Sequence, residues 1–161
     1  MSNIQIISSG KYIPEIKITN EELEKKYQVE ENYIFKRTGI KQRFYANEEI
    51  EQLAIKASKE ALQNIKENID LIVASISGRC QMPSISYEIQ KYFDIKNCMC
   101  MDILAGCAGF INALDIAKLY IDSNRINTAL VVGVEKLSTH IDKNDRNIAC
   151  RWCRSNCYKK M

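Results

Sequence analysis

The residues best placed for chemistry in this sequence surround a cysteine between an apolar run and a helical pattern. Residues 102–110 read Asp-Ile-Leu-Ala-Gly-Cys-Ala-Gly-Phe, so Cys107 has only small neighbours. A thiol at a strand-to-helix turn lies beside unpaired helical N–H groups, which favour the nucleophilic thiolate. Small neighbours let backbone approach a thioester, and nearby N–H groups can donate to a developing oxyanion. The segment predicts nucleophilic acyl chemistry at Cys107.

The same segment has a second interpretation. A small buried cysteine also suits a helix that packs tightly through glycine and alanine, and free cysteine is often found in cores. Composition alone leaves the two interpretations open.

The other residues with catalytic or metal-binding chemistry are weaker candidates. His140 is the only histidine and lies in a polar stretch, 138–147, so we expect a surface residue. Cys150, Cys153 and Cys157 resemble part of a zinc or iron–sulfur ligand set, but a second matching pair is lacking. We therefore predict no metal site, with a small metal-binding protein built on these cysteines as an alternative.

Apolar runs alternate with amphipathic segments along most of the chain, residues 1–147. Thr19 and Glu22 stand at capping-box spacing before a short helix. Strands that are apolar throughout need cover on both faces, so this order predicts an α/β fold whose mainly parallel sheet is covered by helices. The predicted strands are 4–13, 69–76, 98–104 and 128–134, and further helices are 30–36, 50–65, 83–93 and 108–121, with 40–45 extended.

Composition narrows the class of protein. A chain of 161 residues with 46% hydrophobic residues can bury the core of one domain. Its 23 basic and 20 acidic residues are interspersed, so nucleic acid binding is not expected. It lacks a signal peptide and any membrane-spanning run, which predicts a cytoplasmic protein. Seven cysteines, four of them in core-like sequence, favour reduced thiols; those four are Cys80, Cys98, Cys100 and Cys107.

Several stretches resemble one enzyme family in collinear order. The string 105–110 is similar to the nucleophile motif of the 3-oxoacyl-acyl-carrier-protein synthase III family, condensing enzymes with a thiolase-like fold. The resemblance covers residues 4–147 and implies the N-terminal half of that α/β fold. Further matching stretches are Gly10 to Pro14, Thr19-Asn20, Arg37 to Ile40, Pro83-Ser84, Ala129 to Gly133 and Asp145-Arg146.

The resemblance implies a two-step reaction that starts fatty acid synthesis. Cys107 would take an acyl group from acyl-coenzyme A, and that group would condense with malonyl-acyl-carrier-protein as carbon dioxide leaves. Coenzyme A would be held by Tyr33, Arg37 and Arg146; Tyr33 replaces the family's usual Trp and offers a smaller surface. Met82 would line the acyl pocket at a homodimer interface, where the family often has Phe. No cofactor is implied, and without the resemblance these residues read as solvated or packing side chains.

The character of the chain changes after residue 147. Residues 148–161 hold three cysteines and the only Trp, with neither strand nor helix periodicity. If residues 151–161 are written with permitted codons and read one base later, one choice gives Asp-Gly-Ala-Gly-Ala-Thr-Val-Ile-Lys-Lys, similar to a motif that follows in the family. We therefore expect a frameshifted or disordered tail on a truncated chain. The His and Asn that support condensation in the family would be missing, so condensation is not expected.

Two alternatives to this function stand beside it. One is a related thiolase-fold acyltransferase, either a hydroxymethylglutaryl-coenzyme A synthase or a ketosynthase of secondary metabolism, which also uses cysteine. The other is a non-catalytic pseudoenzyme.

Overall fold

A computed structural model describes residues 4–77 and 82–136 of the chain, and the backbone alone of residues 153–160. The strands are β1 (Ile4–Tyr12), β2 (Ile16–Thr19), β3 (Gln42–Tyr45), β4 (Leu71–Ser77), β5 (Met99–Ile103), β6 (Thr128–Glu135) and β7 (Cys153–Lys160). The helices are α1 (Asn20–Tyr27), α2 (Tyr33–Thr38), α3 (Ile50–Leu62), α4 (Ile85–Tyr92) and α5 (Gly109–Asp122), and a 3₁₀ turn, Gly106–Ala108, precedes α5.

A five-stranded sheet in the order β1-β7-β6-β4-β5 organises the chain. Strand β4 pairs in parallel with both β5 and β6, whereas β7 runs antiparallel to its neighbours β1 and β6. Four strands therefore share one direction and β7 opposes them. This arrangement confirms the predicted α/β fold with a mainly parallel, mixed sheet.

Helices cover both faces of this sheet. Every residue of β4 is buried, as the continuous apolar run predicted. Because successive side chains point to opposite faces of a strand, Ile72 packs with α3 and α4, whereas Leu71 and Val73 pack with α5. The start of α5 is thereby fixed against the ends of the central strands.

Side-chain hydrogen bonds decide where the first helices begin. The Glu22 N–H donates to Thr19 Oγ1 (3.3 Å) and the Thr19 N–H donates to Glu22 Oε2 (2.7 Å), which confirms the predicted capping box. Helix α2 starts at Tyr33 rather than at residue 30. The buried Glu24 carboxylate accepts the N–H groups of Asn32 and Ile34, so two backbone donors at the start of the helix are satisfied from α1.

Two strands differ from the sequence-based expectation. Strand β2 was not predicted, because four residues are too few to show a period; its pairing with β3 decides it. Strand β5 was predicted to be buried, yet its residues are exposed or half-buried. Among the described strands β5 lies at the edge of the sheet, which explains its incomplete cover.

The tail contributes a strand where no regular element was expected. Strand β7 lies between β1 and β6, with Asn156 opposite Val131 and Ser155 opposite Val132. A segment without alternating apolar residues can still form a strand when backbone hydrogen bonds hold it on both sides. Every residue type except proline supplies the same N–H and C=O groups. The frameshift origin predicted for residues 148–161 stays a prediction.

Candidate active site

The thiol of Cys107 is exposed and lies in the 3₁₀ turn that leads into α5. The preceding Gly106 has a φ of +53°, a conformation that residues with a side chain rarely adopt, so glycine suits the turn. At Gly109 a Cβ atom would collide with Ser75 Oγ, so a glycine is needed for the close approach of α5 to β4. The interpretation of Cys107 as a thiol buried in packing does not describe this position.

A cavity of about 190 Å³ lies beside the Cys107 thiol. It opens where the parallel strands β4 and β6 end, and in α/β sheets the carboxyl ends of the strands are where ligands bind. Its lining combines apolar, hydroxyl and carboxylate groups: Ser75, Ser77, Gly106, Cys107, Phe110, Gly133, Val134 and Glu135.

Three polar residues of this cavity were missed by sequence reasoning. Ser75 lies one residue before the end of the predicted strand 69–76, and Ser77 and Glu135 directly follow predicted strands. Polar residues at that point of parallel strands were the available signal, because the carboxyl ends of neighbouring parallel strands meet at one edge of a sheet.

Tyr33 and Arg37 form a stacked pair on α2. The guanidinium carbon of Arg37 lies 4.7 Å from the centre of the Tyr33 ring, as expected for residues four positions apart on a helix. Both line a second cavity of about 530 Å³, together with Lys36 and the turn at Gln28 to Glu30. The structure therefore brings these two predicted residues together, but in a cavity that does not include Cys107.

Met82 precedes α4 and is 90% exposed, and it lines neither cavity. The carboxylate of Asp102, at the end of β5, holds the start of this helix: it accepts the N–H groups of Ile85 (2.7 Å) and Ser86 (2.9 Å). A carboxylate at a helix N-terminus satisfies unpaired donors and complements the helix dipole. Asp102 thus ties the segment after Met82 to the strand that leads to Cys107.

Several predicted residues lie outside the described part of the chain. These include Arg146 and His140, and of the possible metal ligands Cys150, Cys153 and Cys157 no side chain is described. Within residues 4–77 and 82–136, no group of three His, Cys, Asp or Glu side chains could hold a metal ion. The helices of those same residues include none with the length and apolarity needed to cross a bilayer.

Comparison with known proteins gives this geometry a context. The family model described as 3-Oxoacyl-[acyl-carrier-protein (ACP)] synthase III matches residues 101–152, a stretch that contains Cys107. The beta-ketoacyl-[acyl-carrier-protein] synthase III of Clostridium acetobutylicum is 42% identical over 151 residues, which cover 91% of this chain and 46% of that protein. The chain thus spans about half the length of the curated relatives it matches.

Solved structures agree with the sequence match. The 3-oxoacyl-[acyl-carrier-protein] synthase III from Aquifex aeolicus superposes with a TM-score of 0.92 at 34% identity, covering 99% of this chain and 54% of that one. The priming beta-ketosynthase from the R1128 polyketide biosynthetic pathway gives a TM-score of 0.91 at 28% identity, covering 98% and 50%. In sequence and in fold, this chain therefore matches the N-terminal half of the 3-oxoacyl-[acyl-carrier-protein] synthase III family.

Proposed function

We propose that Cys107 accepts an acyl group from acyl-coenzyme A, as the first half-reaction of a 3-oxoacyl-acyl-carrier-protein synthase III. The observation that carries the proposal is the exposed thiol beside a cavity at the carboxyl ends of β4 and β6. In this step the Cys107 sulfur bonds to the acyl carbonyl carbon, the bond from that carbon to the coenzyme A sulfur breaks, and the thiol proton ends on coenzyme A.

The turn around Cys107 supports this step by its shape. Gly106 and Gly109 carry no side chain that would stand between the thiol and a thioester. At the start of α5 the Gly109 N–H donates to the Gly106 carbonyl oxygen. Other N–H groups in the first turn of a helix lack an intrahelical partner and can donate to the oxyanion that forms when sulfur attacks the carbonyl. A helix start also favours the negative charge that develops there.

We assign the binding of coenzyme A to Tyr33, Arg37 and Arg146. A flat ring stacked with a guanidinium offers a surface for a nucleotide base, and guanidinium groups bind phosphate in a forked geometry. Lys36 lines the same cavity and adds a second positive charge. Met82 lines neither cavity of its own chain, so we assign it to the acyl pocket of a partner protomer across a dimer interface. Its flexible thioether suits more than one acyl chain.

The second half-reaction and the partners are a further part of the proposal, which extends the likeness to the relatives. We propose condensation with malonyl-acyl-carrier-protein in a cytoplasmic homodimer, without a cofactor, and only in an assembly that also supplies the His and Asn expected from the family. The outer face of α5 supports further cover, because Ile111 and Leu119 are 60% and 66% exposed.

Acyl transfer is tested by incubating the chain with radiolabelled acetyl-coenzyme A and mapping the label by peptide mass spectrometry. Label on Cys107 that is lost in Cys107→Ala and kept in Cys98→Ala is the expected result. Equal labelling of the Cys107→Ala variant would show that another group accepts the acyl chain.

The coenzyme A site is tested separately by measuring coenzyme A affinity with isothermal titration calorimetry. Arg37→Ala should weaken binding roughly tenfold, because one charge-assisted contact to phosphate is lost. Lys91→Ala on α4 is the matched control, since Lys91 is exposed and does not line this cavity. Equal affinities of the two variants contradict the assignment of Arg37.

A further inference from the structure

We propose that Glu135 selects the acyl group at Cys107 by charge, disfavouring acyl chains that carry a carboxylate of their own. The inference rests on the proposed acyl transfer, and it assigns a specificity-determining role to a residue that the family resemblance did not single out. In a reaction that uses both an uncharged acyl thioester and a malonyl thioester, such a residue would keep the malonyl group off the nucleophile.

The sheet places Glu135 in the cavity by its register. Glu135 pairs with Ser77 and Gly133 pairs with Ser75 across the parallel strands β6 and β4. Val73 and Val131 belong to the core under α5. Because strand side chains alternate, residues two and four positions further along lie on that same face. The carboxylate and the Cys107 turn at the start of α5 are therefore on one side of the sheet.

The backbone that carries Glu135 is anchored from the opposite face. The next residue, Lys136, is 8% exposed, and its Nζ donates to the Glu48 carbonyl oxygen (2.8 Å) and contacts Glu49 Oε2 at 3.3 Å. This contact draws the lysine toward the start of α3 and away from the cavity. The anchor limits how far the end of β6 can move, so the backbone of Glu135 keeps its position at the cavity wall.

The cavity is small enough for one charge to matter. At about 190 Å³ it has the volume of roughly six liquid waters, which suits a short acyl group. An acetyl methyl group would rest against the apolar side chain of Phe110. A malonyl group would bring a second carboxylate into the same space as Glu135.

Among the described residues that line the cavity, none carries a positive charge that would offset this repulsion. Glu135 is the one described residue of the lining with a charged side chain. Like charges several ångströms apart near a protein surface repel measurably, and added salt weakens the repulsion. The lining therefore favours neutral over anionic groups at the Cys107 sulfur.

The test uses two alkylating reagents that are nearly the same size and differ in charge. Iodoacetamide is neutral and iodoacetate is anionic, and peptide mass spectrometry gives the rate of each at Cys107. In the Glu135→Gln variant the ratio of the iodoacetate rate to the iodoacetamide rate should rise roughly three- to tenfold. Glu88→Gln, which removes the same charge from α4 on the other face, should leave the ratio unchanged. An unchanged ratio in Glu135→Gln, or an equal rise in Glu88→Gln, overturns the proposal.

If the Glu135→Gln variant unfolds, Cys98 will be labelled rapidly. The proposal is then tested on the wild-type chain by varying the salt concentration. Raising the salt concentration from about 0.01 M to about 1 M shortens the screening length tenfold. The iodoacetate to iodoacetamide ratio at Cys107 should then rise relative to the same ratio for a free thiol. If the iodoacetate to iodoacetamide ratio at Cys107 changes with salt in the same way as the ratio for a free thiol, the proposal is overturned.

A second measurement separates this inference from the proposed function. Acylation of Cys107 by acetyl-coenzyme A and by malonyl-coenzyme A is compared by intact-protein mass spectrometry. Malonyl loading that rises severalfold relative to acetyl loading in Glu135→Gln supports both proposals. Absence of any acyl loading contradicts the acyl transfer, while the alkylation ratio still tests the charge selection.

Discussion

Two groups of thiols in this chain have the same chemistry and opposite surroundings. Cys98 and Cys100 lie at β5, where they pack against the core under α3 and α4. Burial raises the pKa of Cys98 to about 12 and also raises the pKa of Cys100. Cys107 lies a few residues further along the chain, in an exposed turn beside a cavity. Reactivity is therefore set by where the fold places a thiol.

Hydrogen bonds strengthen the contrast. The Cys100 thiol lies 3.4 Å from Gln90 Oε1 and 3.6 Å from the Ser86 carbonyl oxygen, so it acts as a donor in the protonated form. The Cys98 thiol donates to the Met99 carbonyl oxygen at 3.3 Å. Donation by a thiol favours its neutral form, because the thiolate has no proton to donate. Local packing thus keeps these two thiols protonated, and the protonated thiol is not the nucleophile.

The largest expected effect is the difference in alkylation rate. At pH 8 a thiol with a pKa of about 12 is ionised in roughly one molecule in 10,000, so Cys98 should react about a thousandfold more slowly than an ordinary exposed thiol. Its rate should rise about tenfold per pH unit up to pH 11, because only the thiolate reacts. Iodoacetamide labelling followed by peptide mapping measures both thiols in one sample. Equal rates at Cys98 and Cys107 in the folded chain would break the comparison.

A substitution in the core should weaken the protection of Cys98 and Cys100 against alkylation. Ile89 is fully buried in α4, in the same core against which Cys98 and Cys100 pack. Ile89→Ala should lower the free energy of unfolding by about 2–5 kcal/mol and speed alkylation of both thiols. Chemical denaturation and labelling kinetics measure the two effects.

The exposed Tyr87 offers a matched control on the same helix. Tyr87→Ala removes a larger side chain from a surface that is 47% exposed, so its effects on stability and on thiol protection should be much smaller. If Ile89→Ala increased the alkylation rate of Cys107 as much as that of Cys98, the two groups of thiols would be exposed by one opening motion. The contrast between them would then not come from their local surroundings.

A smaller effect concerns how the turn of Cys107 is held. Gly109→Ala should cost about 1–2 kcal/mol and alter the Cys107 alkylation rate, because the new Cβ meets Ser75 Oγ. Removing that oxygen should relieve the conflict, so the double variant Ser75→Ala with Gly109→Ala should be less destabilised than the sum of the two single variants. Cys98 should respond to none of them. Strict additivity in denaturant unfolding would show that the contact does not fix the turn.

Much of the fold followed from patterns that depend on neighbours along the chain. The apolar run that became β4 and the amphipathic stripe that became α3 were predicted because burial on two faces, or on one helical face, leaves a period in the sequence. The Thr19 capping box was predicted because its partners are three residues apart. Strands β2 and β7 could not be predicted in this way, since their partners are distant in sequence.

For the candidate site, the residue types around Cys107 and the order of elements determined what chemistry the chain could hold. A small-residue turn between a strand and a helix is a local property, and it is visible in the sequence. Only the tertiary structure decided that Glu135, Ser75 and Ser77 share a cavity with that thiol and that Tyr33 and Arg37 do not. The physical reason is that strand register and helix docking join residues far apart in sequence; polar residues at strand ends indicate an edge of the sheet, but not which of them meet.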